Sequence, residues 1–364
     1  MIEPDQRPGS KSKRRLFVSL LVAATLLFVG VGWVVLGGRS TIDRPPVPSP
    51  NGYEELAAIG ARIVSESAWL EPDAGPDQLR AFLEANPTLL TEAREALELD
   101  SLVPLTFTQV DVLSPQGGTL RQLARLQSAA GRLAEEEGRF EEAARGHLDT
   151  VRLGHRIRGG LLNDRLIGFA IESLGLSGLQ RTLDNLEAGT RRELFQTLEA
   201  LDRDREPIAD TIALDLHWGV KATPKIQYMM MTWSGAAQKL LAPAHRAAES
   251  AEARNSAHLR LLLTELAIRA YRDDHQTLPG TLADLVPEFL EAVPSDPFGA
   301  GPLKYRIEGD SYRLYSVRPD GIDNDGEPFA GATDWAKARG DATLETYRYE
   351  PLEPEEDEPE SGQG

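Results

Sequence analysis

RQLARLQSAAGRLAEEEGRFEEAARGHLDTVRLG, residues 121–154, is the stretch on which the fold turns. It reads as helix, tight turn, helix: Gly138 and Arg139 make the turn, and Phe140, Ala143 and Ala144 open the second helix. Small residues at Ala130, Gly131, Ala134 and Ala143 let two antiparallel helices approach closely. Moving outward, helical apolar spacing covers 52–69 and 76–99, broken by the EPDAGP turn at 71–76. VPLTFTQVDVL, 103–113, is an irregular or short-strand connector that Gly117 and Gly118 end. Further helices are expected at about 160–183, 189–203, 207–220 and 225–241. Together they predict an all-helical middle domain over residues 51–245.

The N-terminus places this domain in the cell. KSKRR, 11–15, precedes an uncharged apolar run over residues 16–38. At 1.5 Å per residue, that run crosses a hydrocarbon layer of about 30 Å. The apolar region of a cleavable signal peptide is only about 7–15 residues long and ends at a small-residue site. The reading is therefore an uncleaved, single-pass transmembrane anchor at 16–38, with Trp33 near its outer end. The basic cluster on its N-terminal side keeps residues 1–15 in the cytoplasm as a basic tail, so the bulk of the chain is periplasmic or otherwise extracytoplasmic. STIDRPPVPSP, within the Pro-rich linker 39–50, reads as an extended spacer off the membrane.

Beyond the helices, Pro243 is expected to interrupt the chain and a second unit to span 246–350. Its first helix runs to about 274 and puts Leu259, Leu262, Leu263, Leu266, Ala270 and Tyr271 on one face. A short helix with Leu282, Leu285, Val286 and Phe289 follows, and then LKYRI and SYRLYSV form a β-hairpin around EGD. Tyr312 and Leu314 alternate with Arg313 and Tyr315, so one hairpin face packs on the long helix. The acidic tail 351–364, PLEPEEDEPESGQG with an E before it, has little apolar content to bury and is expected to be disordered. The class is α+β overall, mostly α: a transmembrane helix, a helical middle domain and a small helix-plus-β-hairpin module.

Composition excludes several functions. A formal net charge of -18 over 364 residues argues against a nucleic-acid binder. With no cysteine there is no disulfide, thiolate zinc site, thiol nucleophile or lipoprotein anchor. No G-x-x-x-x-G-K, H-E-x-x-H or G-x-S-x-G occurs. His147 and His155, eight apart on one helical surface, lack a third ligand and read as surface or capping histidines. YMMMTW, 228–233, reads as core, and EEE at 135–137 as a solvated face. Asp210, Asp215 and His217 are the candidates for a rival class, an envelope hydrolase or carbohydrate-binding protein with its site in the helical domain.

RPDGIDNDGEPF, 318–329, places four carboxylates (Asp320, Asp323, Asp325, Glu327) within eight positions, with Gly321 and Gly326 between them. Two readings stand: a solvated turn, or a cage of oxygens for a hard cation. Residues 121–154 resemble one tetratricopeptide-type hairpin through its G-x-F-x-x-A turn segment, although a single unit is also an ordinary helical hairpin. AIRAYRDDHQTLPGTLADLVPEFL, VPSDPFG, YRLYSVRPDGIDNDGEP and the DW at 334–335 resemble the globular part of type II secretion major pseudopilins, over roughly 255–336. The resemblance implies that the acidic loop binds calcium, through Asp320 and, later in the loop, Asp323 and Asp325. Bound metal would then tie Phe329 and Trp335 back onto the hairpin. The apolar run lacks a pseudopilin's glutamate and leader site, so the module is expected on a different chassis. The expected protein is a structural or adaptor component of the envelope, placed beside a secretion or pilus-like assembly, with a protein partner and an unknown small-molecule substrate.

Overall fold

The computed structural model describes residues 44–66, 74–105, 116–222, 236–318, 321–328 and 340–347, with backbone alone for 220–222 and 236–240. The apolar run at 16–38, YMMMTW, Asp320, Phe329, Trp335 and the acidic tail lie outside these residues. Among the described residues, no helix is long and apolar enough to cross a membrane.

The described elements are α1 (Gly52–Ala61), α2 (Pro76–Glu84), α3 (Leu89–Leu97), α4 (Gln116–Glu136), α5 (Phe140–Arg156), α6 (Leu162–Thr182), α7 (Ala188–Arg203), α8 (Ile208–Ala222) and α9 (Ala236–His275), then β1 (Lys304–Glu308) and β2 (Ser311–Tyr315). Short 3-10 turns cover Leu183–Asn185, Leu282–Leu285 and Leu344–Tyr347. The molecule is mostly helical with one small antiparallel sheet, as the α+β expectation requires.

The hairpin of residues 121–154 forms as its sequence predicts. Gly138 takes φ +72°, a left-handed conformation that glycine adopts at little steric cost, and α5 turns back along α4. α5 then packs against α6 as well. A Cβ added at Gly154 would sit 2.5 Å from the Gly168 carbonyl oxygen, and one at Gly175 would sit 2.6 Å from the His147 carbonyl oxygen. Backbones this close tolerate only hydrogen at those positions. α1, α2 and α3 close the far side, so that Tyr53, Leu56, Phe82, Leu97, Leu123, Leu126 and Leu153 share one core.

Several expected boundaries move. The helix expected over 76–99 is two helices, because Pro87 removes a donor and restricts the residue before it. The helix expected to reach residue 69 stops at Ala61. Gly117 and Gly118 lie inside α4 rather than ahead of it. The linker is not wholly a free spacer: the Arg44 guanidinium donates to the Val103 and Gly159 carbonyls, holding that end on the body.

Pro243 does not interrupt the chain at the expected 245/246 boundary. It lies inside the 40-residue α9. A proline deletes one backbone donor, yet the packed turns beyond it, with Ala248, Leu259 and Leu262 fully buried, hold the helix together. A second core therefore joins both sides of that boundary: Leu176, Leu179, Leu194 and Leu198 meet Leu259, Leu262 and Leu266, with Phe289, Leu303 and Leu314 from the C-terminal elements.

The hairpin pairs Lys304 with Tyr315 and Ile307 with Tyr312. Leu314 enters the second core, and the Tyr312 hydroxyl donates to Glu265 of α9 at 2.9 Å. Tyr315, on the other face, is buried as well, because the acidic loop folds over it.

Candidate functional site

The acidic loop is tethered by four side chains of the β-hairpin. Asp323 Oδ1 accepts from the Tyr315 hydroxyl and from the Asp325 backbone N–H, both at 3.0 Å, and its other oxygen lies 3.6 Å from Lys304 Nζ. These bonds hold its carboxyl below the ordinary range, although burial acts the other way. Asp325, at φ +60°, accepts from Arg306 at 3.2 Å, and its carbonyl accepts from Arg306 and Arg313. Gly326, at φ +74°, lies against Tyr315, where a Cβ would come within 2.8 Å of the ring.

Asp323 and Asp325 thus face different partners. Among the described residues, no three acidic or histidine side chains converge as a metal-binding group. Asp320, the first of the three expected ligands, lies outside the described residues.

Two buried aspartates organise this corner, and sequence reasoning assigned neither a role. Asp341 is fully buried, and its Oδ2 accepts from the backbone N–H groups of Asn324 and Gly326 at 2.9 and 2.8 Å. Asp296, from the D-P-F-G segment, accepts from the Ser316 hydroxyl at 2.6 Å, the Val317 N–H at 2.8 Å and the Phe298 N–H at 3.0 Å. The D-P-F-G and YRLYSV segments, quoted above for their resemblance to pseudopilins, meet through these bonds. An aspartate two residues ahead of a backbone donor is a local turn signal that could have pointed to Asp296. Asp341 carries no comparable mark.

The helical layers hold two further polar clusters. His147 of α5 is fully buried between Gly131 of α4 and Gly178 of α6, with a Cβ at Gly178 falling 2.1 Å from its ring. Its Nε2 meets Glu135, which also accepts two bonds from Arg181 at 3.0 Å. Burial depresses the His147 imidazole despite that carboxylate. Glu135 therefore does not belong to a solvated face; Glu136 and Glu137 do.

His155 is likewise buried rather than on the surface, and burial pulls its pKa down to about 4. It neighbours Glu172 of α6, which has no exposed surface and is clamped by Arg205 at 2.9 Å and Arg165 at 3.7 Å. Burial pushes the Glu172 carboxyl up; the two guanidiniums outweigh it and leave it below its ordinary range. The eight-residue spacing of the two histidines does not bring them to one ligand, because each lies beside a separate buried cluster, His147 at Glu135 and Arg181 and His155 at Glu172 with its two arginines.

His217, the third residue of the rival hydrolase reading, is half-buried and shares α8 with Asp210 and Asp215. Asp210 is exposed, whereas Asp215 accepts from the Leu162 N–H at 3.3 Å, at the start of α6. No protein-family model, curated protein or solved structure matches the chain.

Proposed function

We propose that this protein is a structural or adaptor component of the cell envelope, held in the membrane by residues 16–38 with its folded body on the exported side. Its C-terminal part acts as a pseudopilin-like module beside a secretion or pilus-like assembly, and its helical layers carry a protein partner. The observation that supports this reading is the corner built by Asp296, Ser316, Val317 and Asp341. There the D-P-F-G, YRLYSV and acidic-loop segments that resemble a pseudopilin are tied together, and the hairpin packs against one long helix.

Calcium belongs to the same proposal. Asp323 and Asp325 keep exposed oxygens toward solvent, and Asp320 would complete the set with main-chain carbonyls. Its role is to stiffen the loop over Tyr315.

Crosslinking in intact cells, followed by mass spectrometry, tests the adaptor reading. A reproducible envelope partner linked to the helical layers supports it, and recovery of the full chain in the detergent-free soluble fraction overturns it. Calcium is tested separately. A calorimetric titration without heat, together with a Tm indifferent to EDTA, removes the metal and leaves the adaptor reading standing.

A further inference from the structure

Residues 340–347 run from the acidic loop to the helical layers. At one end, Ser316 and Ala342 exchange two backbone hydrogen bonds of 2.9 Å, the Asp341 N–H donates to the Glu327 carbonyl, and the Asp341 carboxylate holds Asn324 and Gly326. At the other end, the turn Leu344–Tyr347 lies on α6 and α9. Gln180 donates its Nε2–H to the Leu344 carbonyl at 2.7 Å, and the Ser177 hydroxyl reaches the Tyr347 carbonyl at 3.4 Å. The Tyr347 ring stacks on His258 of α9, with centroids 4.3 Å apart and planes within 7°.

His258 is only 2% exposed beneath this ring. Because Gln180 spends its amide N–H on Leu344, its Oε1 is left to accept from His258 Nε2 at 3.1 Å, which selects the neutral imidazole with Nε2 protonated. The neighbour from α6 is thus an uncharged amide. Arg254 of α9, Asp296 of the D-P-F-G loop and Arg318 after β2 act on Tyr347 above it, and none of them offsets the burial of His258, which pulls its pKa down to about 3.

We infer that residues 340–347 form an acid-released strap: neutral His258 is the surface on which it closes, and protonation of that ring opens it. With the strap closed, the ring cannot take up a proton without placing a charge in an apolar stack. With it open, the ring meets water and titrates near its ordinary value of about 6.5. Protons therefore favour the open form below that pH, and opening should rise about 75-fold between pH 7 and pH 4.5. Release also frees Asp341, so the acidic loop loses a tether in the same step.

Hydrogen exchange of the full-length chain in mild detergent, corrected for intrinsic exchange and read by mass spectrometry from pH 7 to 4.5, tests this. The 340–347 peptide should speed up about tenfold per pH unit below about pH 6. His258→Gln keeps a donor toward Gln180 but cannot titrate. Its strap should exchange independently of pH, while α5, which carries His155, keeps its wild-type response. A wild-type strap indifferent to acid, or an equal acid response in His258→Gln, overturns the inference. Should that variant not fold, Tyr347→Ala removes the covering ring, and NMR should then find His258 titrating near 6.5. If it stays neutral down to pH 4, the strap is not what shields it and the inference falls.

Discussion

His147 shows how much one buried ring demands of its neighbours. Three helices meet at the imidazole, and two of them supply glycine where any side chain would strike it. Gly178→Ala should therefore cost about 1–3 kcal/mol, the usual penalty of overpacking, and lower Tm with no change in surface charge. An unchanged melting curve would mean that the ring moves freely, against the clamp described. Glu172 poses the converse problem, a carboxylate without exposed surface between two guanidiniums. Glu172→Gln removes the compensating charge and should destabilise by about 3–5 kcal/mol, read by urea denaturation. The eight-residue interval between His147 and His155 was legible in the sequence, where both read as surface or capping histidines. Their burial was not, because it depends on α4 and α6 arriving from distant parts of the chain.

Among the elements, the acidic loop depends on a segment it does not touch in sequence. Asp341 lies at least 15 residues from the amides it holds, so nothing in the run DGIDNDGE announces it. Asp341→Ala leaves two backbone donors without that carboxylate, at about 1–3 kcal/mol for a buried group left unpaired. Limited proteolysis should then cut first within 321–328. A loop as resistant as the wild type would show that Arg306, Arg313 and Lys304 suffice to hold it. The hairpin itself was readable from its alternation. The burial of Tyr315 on the supposedly open face was not, because the loop that covers it is polar and has no periodicity.

At the scale of the molecule, α9 decides the organisation. Its apolar face is shared between α6 and α7 on one side and the hairpin and the Leu282–Leu285 turn on the other. Residues 246–347 expressed alone would expose the buried face of Leu259, Leu262 and Leu266, and should lack a cooperative transition by circular dichroism. The described body as a whole should unfold in one step; two resolved transitions would restore the boundary expected at 245/246. Acid should weaken the whole body. His155 and His258 are buried neutral, with pKa values of about 4 and about 3, so the unfolded chain takes up their protons first, below about pH 6.5. Stability from these two groups is complete above that pH and falls as pH drops toward the folded values, by about 2 kcal/mol each at pH 5. Denaturation midpoints at pH 7 and pH 5 would measure it, and equal midpoints would contradict the burial of these rings.

The sequence by itself determined the helical hairpin at 121–154, the β-hairpin and the mostly helical class, since each follows from periodicity and turn residues within a few dozen positions. Tertiary structure alone decided which polar groups are buried, that α9 continues through Pro243, and what holds the acidic loop. Those outcomes depend on which surfaces meet across long sequence separations, and a local pattern carries no record of the partner it will find.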